Sequence, residues 1–76
     1  MTRTKSFSQG FSRGNYGNAY ESTDWDSWYA NNCTGDAEAR EGMILGFFSS
    51  YEIDEIPDPE IAETVRVLRN KYGEEE

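Results

Sequence analysis

The chain has 76 residues, seven Lys and Arg against fifteen Asp and Glu, a formal net charge of −8, one cysteine and no histidine. A chain this short buries only about 60% of the surface its unfolded form exposes, so it can build one small core and no more. With Cys33 alone and no histidine, an internal disulfide, the usual zinc or copper donor sets and the Ser-His-Asp or Cys-His catalytic arrangements are all excluded within one chain.

The charge is unevenly spread. Residues 1–20 hold Arg3, Lys5 and Arg13 and no acid, whereas residues 21–76 hold all fifteen acids against Arg40, Arg66, Arg69 and Lys71, a net of −11. A basic N-terminal stretch therefore precedes an acidic body. The longest apolar run, residues 43–48, is interrupted by Gly46 and is far short of the roughly 20 residues of a membrane helix. No apolar segment follows Arg3 and Lys5 as in a secretory signal, so the expected compartment is the cytoplasm.

Residues 1–20 are rich in Ser, Gly and Asn, with Phe7, Phe11, Tyr16 and Tyr20 recurring every four or five positions. Such a segment reads as a flexible or extended arm whose aromatics dock onto the body or onto a partner, Phe7 and Phe11 being equally candidates for core filling and for partner contact. It follows that residues 1–14 are dispensable for the fold. A short strand or hairpin around residues 15–18 is the alternative, because Asn-Tyr-Gly-Asn is turn-prone.

A first helix is expected over residues 24–32, with Ser22 or Thr23 as N-cap and Asp24 and Asp26 in the first turn, where the macrodipole favours negative charge. Trp25, Trp28 and Tyr29 fall at i, i+3 and i+4 and form one aromatic face, Trp25 being a candidate partner contact. A second helix is expected over residues 36–50, capped by Thr34 or Asp36, with residues 43–48 alternatively a short buried strand. Gly42 and Gly46 weaken that helix by about 1 kcal/mol each, but their spacing of four opens a groove where another backbone can approach.

The third helix has complete start and stop signals: Asp58 as N-cap, Pro59 at N1, an apolar stripe of Ile61, Val65, Leu68 and Tyr72, basic residues near the end and Gly73 at C′. Residues 74–76 form an acidic tail, and Ile53 and Ile56 in the preceding loop are expected to lap onto the core. The fold class is thus mainly α: about three short helices in one domain over residues 21–73, with an extended arm over residues 1–20.

The search for chemistry is mostly negative. Gly10, Gly14 and Gly17 follow no strand and lack the Lys-Ser/Thr ending of a phosphate-binding loop, and Asp54, Glu55, Asp58 and Glu60 lack the spacing of a calcium loop. No cofactor or metal is expected, and no catalysis. Asp54, Glu55, Asp58, Glu60 and Glu63 instead place five carboxylates in ten residues with no base among them, a field that attracts cationic protein surfaces, including those that normally hold nucleic acid. The expected partner is a protein with a basic surface, a nucleic-acid-binding enzyme or complex. The acidic body itself would not bind nucleic acid. The alternative is a structural or adaptor subunit of a larger assembly, docking through the aromatic arm.

In small size, acidity across residues 21–76 and short helices, the chain resembles the anti-defence proteins of bacteriophages, anti-CRISPR and antirestriction proteins that imitate DNA. The resemblance is one of composition and rests on no motif, and the basic arm departs from a pure DNA mimic. It implies an inhibitor of a host nucleic-acid-handling system and assigns a role to no individual residue.

Overall fold

A computed structural model describes residues 4–22 and 24–73. Four α-helices are present among them: α1 (Lys5–Tyr16), α2 (Trp25–Asn32), α3 (Ala37–Phe47) and α4 (Pro59–Tyr72). A π-helical turn, Gly17–Glu21, extends α1, and a 3₁₀ turn, Ile53–Glu55, precedes α4. The fold is mainly helical, as the sequence predicts, but it has one helix more than the three expected. The extra one occupies the segment read as an arm.

Helix α1 is the principal correction. Thr4 caps it, its hydroxyl accepting from the Phe7 N–H at 3.1 Å while donating to Glu38 at 2.9 Å. Glycine in a helix interior is unfavourable by about 1 kcal/mol, which is why Gly10 and Gly14 speak for an arm when read locally. Tertiary contact overrides this. A Cβ on Gly10 would stand 1.9 Å from the Ala39 carbonyl oxygen, and one on Gly14 2.3 Å from that of Met43. In the opposite direction, Cβ atoms on Gly42 and Gly46 would stand 2.2 and 2.1 Å from the carbonyl oxygens of Phe7 and Phe11. Both sets of contacts advance four residues at a time in the same direction, so α1 and α3 run parallel in backbone contact. Ser49 donating to Asn15 at 2.7 Å closes the far end of the pair. The groove expected at Gly42 and Gly46 exists, and α1 fills it.

The remaining elements wrap this pair. Helix α2 starts after Asp24, which caps with its backbone only, and not after Ser22; Thr23 lies outside the described residues. Trp28 turns inward, 3% exposed, and its indole lies on Gly17. Asp36 caps α3, its carboxylate accepting from Ala39 N–H at 2.9 Å, and residues 43–47 continue that helix instead of forming a strand. Helix α4 matches expectation, with Asp58 accepting from Glu60 and Ile61, Pro59 in the first turn and Gly73 in the left-handed conformation at φ 59°. Its Val65, Leu68 and Tyr72 are buried, the Tyr72 ring lying 4.2 Å from that of Phe7. Residues 74–76, read as an acidic tail, lie outside the described residues.

Candidate functional site

Helix α2 offers three aromatics but only one enters the core. Trp28 is buried, whereas Trp25 and Tyr29 are half-buried and stack on one another, their centroids 4.6 Å apart. Trp25 also meets Phe47 edge-on at 5.1 Å and packs tilted against Phe48 at 5.3 Å, on the flank of α3. Beyond Phe48 the chain loops back toward α4. The Arg69 guanidinium donates to the carbonyl oxygens of Phe48 and Tyr51 at 3.1 and 2.6 Å, placing a positive charge at the C-terminal end of α3, where the helix dipole favours it. Glu52 and Glu55 satisfy one another's backbone in a capping box around the 3₁₀ turn, and Ile56 is buried while Ile53 is partly covered, as the sequence suggests.

This loop and α2 leave a cleft of about 340 Å³ between them, with Trp25, Phe48, Tyr51, Ile56 and Ile61 supplying an apolar floor and Asp24, Asp26 and Asp58 a rim. A second hollow of about 240 Å³ adjoins it, sharing Trp25 and Ile61 and reaching Tyr29, Ile44 and Glu60. Neither hollow has a lysine or arginine among its lining residues. The three ion pairs among the described residues, Arg13–Glu21, Arg66–Glu63 and Lys71–Glu41, use none of Asp24, Asp26, Asp58 and Glu60. The groove therefore combines a partly covered indole and aliphatic floor with carboxylates that form no ion pair among the described residues, each lying at a helix N-terminus.

The sequence-predicted site residues are distributed unequally. Trp25, Asp58 and Glu60 line the groove, Asp58 doing so while capping α4. Asp54 and Glu55 are exposed on the adjacent 3₁₀ turn and line neither hollow; Glu55 is engaged by the Glu52 N–H at 2.9 Å. Glu63 points elsewhere and pairs with Arg66, whose hydrogen bond holds its carboxyl below the usual range. Phe7 is 1% exposed, filling the space between α1, α3 and Tyr72, and Phe11 packs partly buried on the same core. Their assignment as partner contacts is corrected to a core role, because the helical α1 turns both rings toward the body.

Sequence reasoning treated Asp24 and Asp26 only as helix-dipole partners, yet they share the groove with Asp58. Of the four aromatics in residues 1–20, Tyr16 and Tyr20 are the two that face outward. Tyr16 and Tyr20 are 54% and 77% exposed and pair with centroids 5.0 Å apart, straddling the start of the π-turn. That turn brings Glu21 beneath the Trp28 indole, which donates to it at 2.8 Å, and beside Arg13 at 2.9 Å. The Trp28 hydrogen bond first, and then Arg13, lower the Glu21 carboxyl below its ordinary value. In the polar hollow of about 460 Å³ at this end, Arg13, Glu21, Trp28 and Asn32 are thus bound to one another.

No group of three or more Cys, Asp or Glu among the described residues is placed to hold a metal ion. No described helix is long and apolar enough to cross a membrane. In comparison with known proteins, no family model, no curated protein and no solved structure matches this chain.

Proposed function

We propose that this protein is a non-catalytic acidic binding protein that inhibits a nucleic-acid-handling host protein by occupying its basic surface. The observation that carries this reading is the acidic rim: Asp24, Asp26, Asp58 and Glu60 gather around the α2–α4 groove, and every ion pair among the described residues lies elsewhere. Carboxylates presented this way meet guanidinium and ammonium groups that would otherwise hold phosphates. The compositional likeness to phage anti-defence proteins supports a target of that class, reached in the host cytoplasm. The acidic face itself repels nucleic acid.

The test is capture of a partner from bacterial lysate with tagged protein, followed by competition between this protein and nucleic acid for the captured partner. Displacement of nucleic acid supports the reading, and simultaneous binding of both contradicts it.

A second reading rests on its own observation. The exposed Tyr16–Tyr20 pair lies within residues 1–20, the stretch that holds no acid, and tyrosines are enriched at protein contacts. An adaptor or structural subunit would dock through this pair and not through Phe7 or Phe11. Loss of partner binding in Tyr20→Ser, with the groove variants unaffected, distinguishes it.

A further inference from the structure

The α2–α4 groove carries more information than its charge. A site that only neutralised cations would need no apolar floor, and a purely apolar partner would trap Asp24, Asp26, Asp58 and Glu60 against its surface without counter-charges, at a large desolvation cost. The two hollows, about 340 and 240 Å³, lie at or below the small end of ligand pockets, roughly 300–1,000 Å³, and suit individual side chains. Lysine and arginine have the matching amphipathic form: a methylene stem that lies along apolar surface and a charged head that stays at the wet rim. A half-covered indole is also the aromatic surface that attracts such cations best.

We propose that the groove takes a basic amphipathic segment of a partner protein, in which arginine or lysine side chains alternate with aliphatic ones. The aliphatic side chains and the methylene stems lie over Trp25, Ile56 and Ile61, and the charged heads meet the rim carboxylates. This rests on the acidic-binder reading and narrows it from a basic surface in general to a segment recognised by stem and charge together.

Three short synthetic peptides of equal length test it by calorimetry: one of alternating arginine and leucine, one with each leucine replaced by serine, and one with each arginine replaced by glutamine. The first binds about tenfold or more tighter than either of the others, since even two buried methylenes contribute about 1.6 kcal/mol. Asp24→Asn combined with Asp26→Asn weakens the arginine–leucine peptide several-fold. Neither side chain makes a capping bond in α2, so circular dichroism remains that of the parent. Ile61→Ser weakens the arginine–leucine peptide and leaves the arginine–serine peptide unchanged, which separates loss of the floor from loss of the fold.

Equal binding of the arginine–leucine and arginine–serine peptides would overturn this inference while leaving the acidic-binder reading standing. Absence of binding by all three would overturn it too, and the acidic-binder reading would then be decided by the competition with nucleic acid alone. Chemical-shift changes centred on Tyr16 and Tyr20, or self-association of the chain through Trp25, would also overturn it.

Discussion

The carbonyl oxygen of Ala39 occupies the space that a side chain on Gly10 would need: an added Cβ would lie 1.9 Å from it. The contact repeats one turn on at Gly14 and reciprocally at Gly42 and Gly46, so α1 and α3 touch along their backbones. Two helices this close leave Phe7, Met43 and Phe47 to fill the flanks, and all three are buried. The N-terminal segment is therefore half of the scaffold on which the groove is built.

Gly10→Ala and Gly42→Ala invert the usual rule for helix interiors. Alanine gains about 1 kcal/mol of propensity over glycine, yet here it must push two backbones apart, and overpacking costs typically about 1–3 kcal/mol. Each substitution is expected to lower the melting temperature, and the pair to lower it further. A rise on either substitution would show that the helices are not in backbone contact.

Removing residues 1–14 should abolish cooperative unfolding and not merely trim a tail, because it strips Phe7, Gly10, Phe11 and Gly14 from α3 and uncovers Tyr72. This reverses the expectation drawn from composition. Far-ultraviolet circular dichroism and a thermal melt of the truncated chain decide between them. A retained sharp transition contradicts the parallel pair.

Leu68 is 6% exposed on the inner face of α4. Leu68→Ala is expected to cost about 2–5 kcal/mol, a large part of the stability of so small a domain. An unchanged denaturant midpoint would mean that α4 does not cover the core.

Alkaline titration reports on Tyr29 and Tyr72. Burial first, and then the neighbouring Cys33, push the Tyr29 hydroxyl up to about 12, and burial followed by the hydrogen bond to Glu41 raises Tyr72 as well. Both folded values lie above the ordinary 10.0. The stability these groups contribute is therefore complete below about pH 10 and is lost as pH rises from there through the folded values. Melting temperature should hold to pH 10 and fall above it, with tyrosinate absorbance from these two residues delayed above the ordinary range, to about pH 12 for Tyr29. Ionisation of every tyrosine near pH 10 in an intact fold would contradict their placement.

Helices α3 and α4 were legible because their signals are local: Asp36 and Asp58 as caps, Pro59 at the start, Gly73 at the end. Helix α1 was not, because its reason for being helical lies in another segment. Gly42 and Gly46 announced a close partner, and Gly10 and Gly14 carry the same spacing of four, but nothing local pairs the two sets. The same blindness affected the site. Charge density along the chain pointed to Asp58 and Glu60 but also to Glu63, which Arg66 neutralises one turn later. Asp24 and Asp26 join the groove only once α2 is laid against the loop before α4. Aromatics among glycines read as an arm, and only the helix shows that Phe7 and Phe11 face in while Tyr16 and Tyr20 face out.

The most direct test of the account is the association rate of the captured partner as salt is raised from 0.1 M to 1 M, where the Debye length shrinks from about 10 Å to about 3 Å. The parent protein is compared with a variant carrying Asp24→Asn, Asp26→Asn, Asp58→Asn and Glu60→Gln, in which asparagine still caps α4. Rim charges act chiefly on encounter. The account predicts that association of the parent slows about tenfold or more with salt, and that the variant associates slowly at low salt with a much weaker salt dependence. Equal rates for the parent at both salt concentrations, with the variant still displacing nucleic acid in full, would contradict it.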